Sequence, residues 1–495
     1  MNTFRLSKST YCDATQCNKI LWLDKYKSNV AEEADNEDRI ETGQEVGELA
    51  KKLFGEGKDI SYDLGLAQMI IKTEEYIEEG TEIITEASFA YKNCFCSVDI
   101  LKNNHGKLEI YEVKSGTKET DRYVNDIAYQ YYVLRNLGYI IDSANLVYIN
   151  NKYIRKGELE LDKLFTIDDI TTTVMEKQPE VKEKIEEINE YMKQRDEPIL
   201  DINPACGKPN DCRYWKYCSK CLPPNNVFEV SGMHLGPKYE FYCNSIVTFS
   251  DLSVCPINPK YLEQIDFELN NREPKIEKEE IKAFLNNLYY PLYFLDFESY
   301  QQVIPLWDGV KPYLQVPFQY SLHYIEEEGG EIKHREFLAE APEIDAREQI
   351  AKRLIEDIPA NACVLAYNMA FEKEHIIKKL ATSYKHLEKD LMKIYDNIQD
   401  LIEPFKKRQY YVKEMKGRST IKLVLPALFP DDPELDYHNL SGVHHGGEAM
   451  SAFRSISKKT KEDQARIRRE LLEYCKLDTY AMVKLWQKLH EVCDE

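Results

Sequence analysis

No window of this chain approaches the ~18 uninterrupted apolar residues expected of a membrane-crossing helix. Its N-terminus, Met1-Asn2-Thr3-Phe4-Arg5-Leu6-Ser7-Lys8, lacks the apolar stretch of a secretory signal. A cytoplasmic location with no membrane partner is the expectation. Internal repeats and low-complexity tracts are missing too. So is a basic excess: the formal net charge is −21, which argues against coating nucleic acid through bulk attraction. A local basic groove stays compatible with that balance. In a cytosolic setting, thirteen cysteines point away from disulfides and towards thiolate ligands.

What is present belongs to a folded chain. Hydrophobic residues make up 43% and tyrosine alone occurs 34 times, which excludes a disordered protein. At 495 residues the chain exceeds one ordinary core, so about two or three domains are expected.

Three short segments carry the strongest chemistry. Tyr293-Phe294-Leu295-Asp296-Phe297-Glu298 reads as a buried strand, on which Asp296 and Glu298 share a face. Paired carboxylates at the end of an apolar strand repel each other, and a divalent cation is the usual remedy. Tyr474 and Asp478, four apart in a helical stretch, also share a face. Between them lies Asn368-Met369-Ala370-Phe371-Glu372. Strand carboxylates, a middle acid and a helical Tyr plus Asp suggest phosphodiester cleavage on two metal ions.

The ordered set resembles the DEDD 3′–5′ exonucleases of the RNase H-like fold, in the subclass with Tyr in its last motif. The resemblance implies that Asp296, Glu298, Glu372 and Asp478 bind two Mg²⁺ or Mn²⁺ ions while Tyr474 orients the attacking water. Asn368 and Phe371 match the second motif, where Glu372 replaces the usual Asp.

The N-terminal half offers a second constellation. Val98-Asp99-Ile100-Leu101 and Leu108-Glu109-Ile110-Tyr111-Glu112-Val113-Lys114 read as two strands of a hairpin turning through Asn103 to Gly106. Glu112 and Lys114 share a face, and Asp99 can lie beside them. Two acids can hold a cation and an ammonium can position water or stabilise charge on phosphate. Alternating charge on a solvent-facing hairpin gives the same letters, so the residues alone leave both readings open. Asp, spacer, Glu-x-Lys is similar to the PD-(D/E)XK nucleases. Gln130, in the helical Asp126 to Leu134 run, resembles the motif that follows in their RecB-like branch. The resemblance implies catalytic roles for Asp99, Glu112, Lys114 and Gln130, with a metal on Asp99 and Glu112. Gly43-Gln44-Glu45-Val46-Gly47 resembles the branch's Gly-x-x-Val-His element, with Gly47 in place of His. Glu86 is the nearest spare carboxylate and reads as a surface acid.

Cys206, Cys212 and Cys218 recur at even spacing, followed by Cys221, with Cys17 far upstream. This arrangement resembles RecB-like nucleases with an iron–sulfur cluster, the CRISPR-associated ones included. It implies a [4Fe–4S] cluster on Cys17, Cys206, Cys212 and Cys218 that joins the two ends of the domain. Four thiolates also suit zinc, which stays open as the rival, and Cys12 or Cys221 could substitute in the set. The other thiols, Cys475 among them, read as small core residues or incidental.

Other stretches say less. Phe405 to Lys422 interleaves basic and aromatic residues, as a single-strand surface or an exposed amphipathic helix would. Asp400 is either a further acid near the site or, the better reading, helix surface, and His444-His445 read as loop. Val227 to Leu269 has strand-like character, and Glu176 to Asp196 reads as a solvated helix.

The expected fold is α/β: a PD-(D/E)XK restriction-endonuclease-like domain over 1–225, a connecting region over 226–284, and an RNase H-like mixed-sheet domain over 285–495. The fused order resembles an uncharacterised bacterial family that combines the two. It implies a metal-dependent nuclease, 3′–5′ exonucleolytic through the C-terminal site, with a second nuclease or strand-binding site in the N-terminal domain. Its partner is nucleic acid, DNA in preference to RNA. The alternative is a scaffold in a repair or defence complex with an inactive N-terminal module.

Overall fold

The computed structural model describes residues 4–32, 37–207 and 211–494. Residues 1–3 of the N-terminal segment and 208–210 of the cysteine segment therefore lie outside the described residues. The chain forms two units: Met1–Leu222 with Val303–Tyr313, and Pro223–Gln302 with Leu314–Glu495. The 226–284 stretch falls inside the second unit instead of standing between domains, while residues 303–313 belong with the first. Both units combine mixed sheets with helices, an α/β architecture.

The first unit, among the described residues, holds a seven-stranded sheet. Its strands are β1 (Leu6–Ser7), β2 (Lys58–Asp59), β3 (Ile83–Tyr91), β4 (Cys94–Asn104), β5 (Lys107–Lys114), β6 (Ile140–Ile149) and β7 (Phe165–Asp169). They run in the order β2-β3-β4-β5-β6-β7, and β1 pairs parallel with β4 at Cys94 and Phe95. The β4–β5 hairpin turns through His105 and Gly106, both at positive φ (52° and 85°). That backbone matches the twist of the flanking strands. Ile100, Leu101, Leu108 and Ile110 are fully buried along it.

Helices of this unit are α1 (Lys8–Gln16), α2 (Asn18–Tyr26), α3 (Glu37–Lys51), α4 (Leu66–Glu78) and α5 (Asp121–Asn136), followed by shorter ones and Gln178–Tyr191. Apolar residues of α1, α2, α5 and Gln178–Tyr191 share one core with the sheet. Val46 and Ala50 of α3 close a second core with Ile100, Val147 and Ile149. A parallel β5–β6 pair needs a crossover between its strands, and α5 provides it, starting from the Thr120 cap.

The second unit is built on β9 (Leu292–Gln301), β10 (Gln315–Ile325), β11 (Lys333–Leu338), β12 (Cys363–Ala366) and β13 (Ile398–Asp400). A minor pair joins β8 (Lys275–Ile276) to β14 (Tyr410–Tyr411). The main sheet runs β11-β10-β9-β12-β13, with β9, β10 and β11 antiparallel and β12 and β13 parallel to β9. Helix Lys461–Asp494 is seated on it by alternate residues of β10. Gln319 Nε2 donates to the Leu471 carbonyl (2.8 Å), while Ser321 Oγ and His323 Nδ1 lie 2.7 and 2.8 Å from Thr479 Oγ1. All four side chains are buried.

The strand-like reading of Val227 to Leu269 is overturned: the stretch is helical, with Leu235–Cys243, Phe249–Leu252 and Pro259–Asn270. Thr248 and Asp251 form a capping box, and Pro259 sits where a helix start tolerates proline. Among the described residues, no helix is long and apolar enough to cross a membrane.

Candidate metal centre

On β9, Asp296 and Glu298 point to the face covered by helix Lys461–Asp494. Together with Asp478 of that helix they bring carboxylate oxygens within 4.8 Å of one another. Glu298 and Asp478 are each 8% exposed. Glu372 stands outside this trio but close enough to raise both Asp296 and Glu298. It is buried, and its Oε2 has no hydrogen-bond partner.

Burial comes first among the causes that push all four carboxyls up. Their mutual repulsion adds to it for Asp296 and Glu298, and Asp400 adds to it for Glu372, which rises to about 8. The Lys422 charge opposes the rise of Glu298 and Asp478 without cancelling it. A set of hard oxygen donors, crowded, desolvated and in excess of the positive charge near them, fits Mg²⁺ or Mn²⁺.

Local structure explains how Glu372 arrives. Asn368 takes a left-handed turn (φ 69°), and its N–H donates to Asp400 Oδ1 (2.8 Å) at the end of β13. Asp400 is therefore a strand-end residue that fixes this turn, not helix surface. Phe371–Ile377 then winds as a π-helix, a rare form that is frequent at functional sites.

Tyr474 is buried between the acids and aromatic neighbours, and burial followed by Asp478, Glu298 and Asp296 raises its phenol far above the ordinary range. It is a neutral hydroxyl. Tyr437, unflagged by the sequence, donates to Asp478 Oδ1 at 2.5 Å. The Lys422 ammonium lies 5.1 and 5.3 Å from the Tyr437 and Tyr474 ring centres. Cys475, read as an incidental thiol, sits 3.7 Å from Asp296 Oδ2. Only its i+1 position after Tyr474 and its place on a buried helix could have signalled this. A cavity of about 670 Å³ opens beside the centre, lined by Lys422, Phe429, Tyr437, His444 and His445. His445 caps helix Gly446–Ser455, and His444 bonds Glu448.

The basic stretch after Phe405 does not present its aromatics. Phe405, Tyr410 and Tyr411 are core residues, and Arg408 is buried against Glu263 (3.1 Å). The reason is that Phe405, Tyr410 and Tyr411 have apolar neighbours such as Phe267 to pack on, which favours burial over stacking with bases.

In the first unit Asp99, Glu112, Lys114 and Gln130 do meet. Lys114 Nζ lies 2.6 Å from both Glu112 Oε1 and Asp126 Oδ2, and Gln130 Nε2 donates to Glu112 Oε2 (2.8 Å) and Asp126 Oδ1 (3.1 Å). The Gln130 Oε1 is buried and unpartnered. Two members were missed: Asp126, and Lys8, whose Nζ is 2.8 Å from Glu112 Oε1 and 3.3 Å from Asp99 Oδ1. Burial pushes Glu112 up, and the Asp126 and Asp99 charges add to that. A cavity of about 760 Å³ holds Lys8, Gly47, Glu86, Asp99 and Glu112 on its walls. Glu86 is thus a wall residue, at φ 57° and bonded by the Tyr62 hydroxyl (2.7 Å).

The cysteines draw together. Burial, and then neighbouring thiols among Cys17, Cys206, Cys212 and Cys218, push Cys206, Cys212 (to about 11) and Cys218 up. Among the described residues, no three of their sulfurs lie within 4.8 Å of one another. Cys221 is exposed and Cys12 is buried near the Arg122 carbonyl.

A family model described as a domain of unknown function, DUF2779, matches residues 293–420. The match takes in Asp296, Glu298 and Glu372 and ends before Tyr437, Tyr474 and Asp478. No curated protein matches the chain.

Proposed function

We propose that this protein is a divalent-metal-dependent nuclease that removes nucleotides from the 3′ end of a nucleic acid strand, DNA in preference to RNA. The observation that carries the reading is the meeting of Asp296, Glu298 and Asp478, with Glu372 beside them and one of its buried oxygens left without a partner. The sheet order supports it: three antiparallel strands followed by two parallel to the first, with the acids on the central strand, suit an RNase H-like domain. Fold analogy alone would not carry function; the site does.

Asp296, Glu298, Glu372 and Asp478 would hold Mg²⁺ or Mn²⁺. When bound, such ions stabilise charge on the phosphate oxygens and make water a better nucleophile. Tyr474, neutral and adjacent to the acids, orients the attacking water through its hydroxyl. Tyr437 holds Asp478 in place, and the Lys422 ammonium adds positive charge where a phosphate would enter. The test is digestion of end-labelled single- and double-stranded DNA and RNA with and without Mg²⁺. Release should require the metal and vanish in Asp296→Ala; undiminished release in that variant discards the reading.

For the first unit the reading is a PD-(D/E)XK-like module that binds the strand. Its cysteines would carry a [4Fe–4S] cluster. The convergence of four thiols supports a metal group there.

A further inference from the structure

The PD-(D/E)XK resemblance calls for a divalent cation between Asp99 and Glu112, and the residues present do not fit one. Every oxygen of the pair already accepts a hydrogen bond. Asp99 Oδ2 takes the Val113 N–H (2.8 Å) and Oδ1 takes Lys8 (3.3 Å). Glu112 Oε1 takes Lys8 and Lys114 (2.8 and 2.6 Å), while Oε2 takes Gln130 and Lys8 (2.8 and 3.1 Å). The orphaned atom here is a neutral amide oxygen, whereas at the C-terminal centre it is a carboxylate oxygen. Across the cavity Gly47 offers no donor, and a Cβ built on it would meet nothing within 4 Å.

Lys8 is placed with care. It is the first residue of α1, directly after β1, which is hydrogen-bonded to β4. A capping box fixes the corner: Ser7 Oγ accepts from the Thr10 N–H (3.3 Å) and Thr10 Oγ1 accepts from the Ser7 N–H (2.8 Å). The backbone thus aims the ammonium between the two acids. Its Nζ lies 2.8 and 3.1 Å from the two Glu112 oxygens and 3.3 Å from Asp99 Oδ1, so two carboxylates enclose it. Asp99, Glu112 and Asp126, with Glu86 on the cavity wall, face the ammonium groups of Lys8, Lys114 and Lys51. A divalent ion would have to expel Lys8 and leave that charge without its partners.

We infer that Lys8 is the built-in cation of this cluster, occupying the place of a metal ion, and that the first unit binds no divalent metal and performs no hydrolysis. The inference is independent of the reading of the C-terminal centre. It is tested by counting Mn²⁺ bound per full-length chain by electron paramagnetic resonance. Asp99→Asn and Glu112→Gln should keep the wild-type count, Lys8→Met should add one site, and Lys8→Met with Asp99→Asn should remove it again. A fall in the count for Asp99→Asn with Lys8 intact overturns the inference, as does a folded Lys8→Met chain with no added site. Asp99 is partly exposed, so its variant reads the question even where Lys8→Met fails to fold. Asp296→Asn reads the C-terminal centre separately.

Discussion

The Tyr437 hydroxyl lies 2.5 Å from Asp478 Oδ1, joining a short turn after Asp436 to the terminal helix across 41 positions of sequence. A hydrogen bond to a charged group contributes about 1.5–3 kcal/mol. Its loss should free Asp478 to rotate away from Asp296 and Glu298.

Tyr437→Phe should therefore still fold, melt several degrees below wild type, and lose roughly ten- to a hundredfold in nucleotide release. The Mg²⁺ concentration for half-maximal activity should rise with it. Wild-type metal dependence in this variant would remove Tyr437 from the positioning role.

Glu372→Gln should have opposite effects on stability and activity. It replaces an unpartnered buried carboxylate by a neutral amide, so the metal-free protein should melt higher at pH 8. Mn²⁺ affinity and nuclease activity should both fall steeply. Calorimetry and an end-label assay on the same preparation check the pair.

The pH dependence has a definite sign. The Glu372 carboxyl rises from about 4.5 to about 8 on folding, so the native state binds the proton more tightly than the unfolded chain. Its contribution is fully present below pH 4.5 and is lost as pH climbs through 8, on the order of a few kcal/mol. Without metal, wild type should lose stability relative to Glu372→Gln over that window. Added Mg²⁺ should raise the melting temperature most at the alkaline end, with protons released on binding.

Arg408→Ala should damage the fold and leave strand affinity alone. Arg408 is 7% exposed beside Glu263 and also bonds the Lys260 and Gly417 carbonyls. Glu263 is partly exposed and keeps Lys275 (2.9 Å), so the loss is chiefly that of the two carbonyl bonds and the packed side chain, about 1–3 kcal/mol. Chemical denaturation should show that loss; weaker strand binding at full stability would reinstate the surface reading of this stretch.

Anaerobically isolated protein should be brown and contain iron and sulfide. Cys212→Ser should bleach it. Zinc in place of iron would select the rival metal, and neither would leave the four thiols as packing.

Local periodicity made much of the two sites legible. Period-two spacing placed Asp296 with Glu298 and Glu112 with Lys114, and period-four spacing placed Tyr474 with Asp478. What it could not reach were side chains delivered from distant, chemically plain segments. Lys8 stands 104 positions from Glu112 in a stretch whose only local signal is a helix cap. Tyr437 sits in a turn without periodicity. The stretch after Phe405 misled because basic and aromatic letters look alike whether they face solvent or a core; tertiary packing decides, and here it buried Phe405, Arg408 and Tyr411. Val227 to Leu269 failed for a related reason, its capping residues outweighing the β preference of its aromatics.

The polar ties between β10 and the terminal helix have a consequence for tolerance to change. Sliding that helix by one turn would break the bonds of Gln319, Ser321 and His323 to it in a dry interior, while Ser321 keeps His334 and Thr479 keeps the Lys476 carbonyl. The alignment of Tyr474 and Asp478 is thereby locked to discrete positions, guarded by groups that stand apart from the acids themselves.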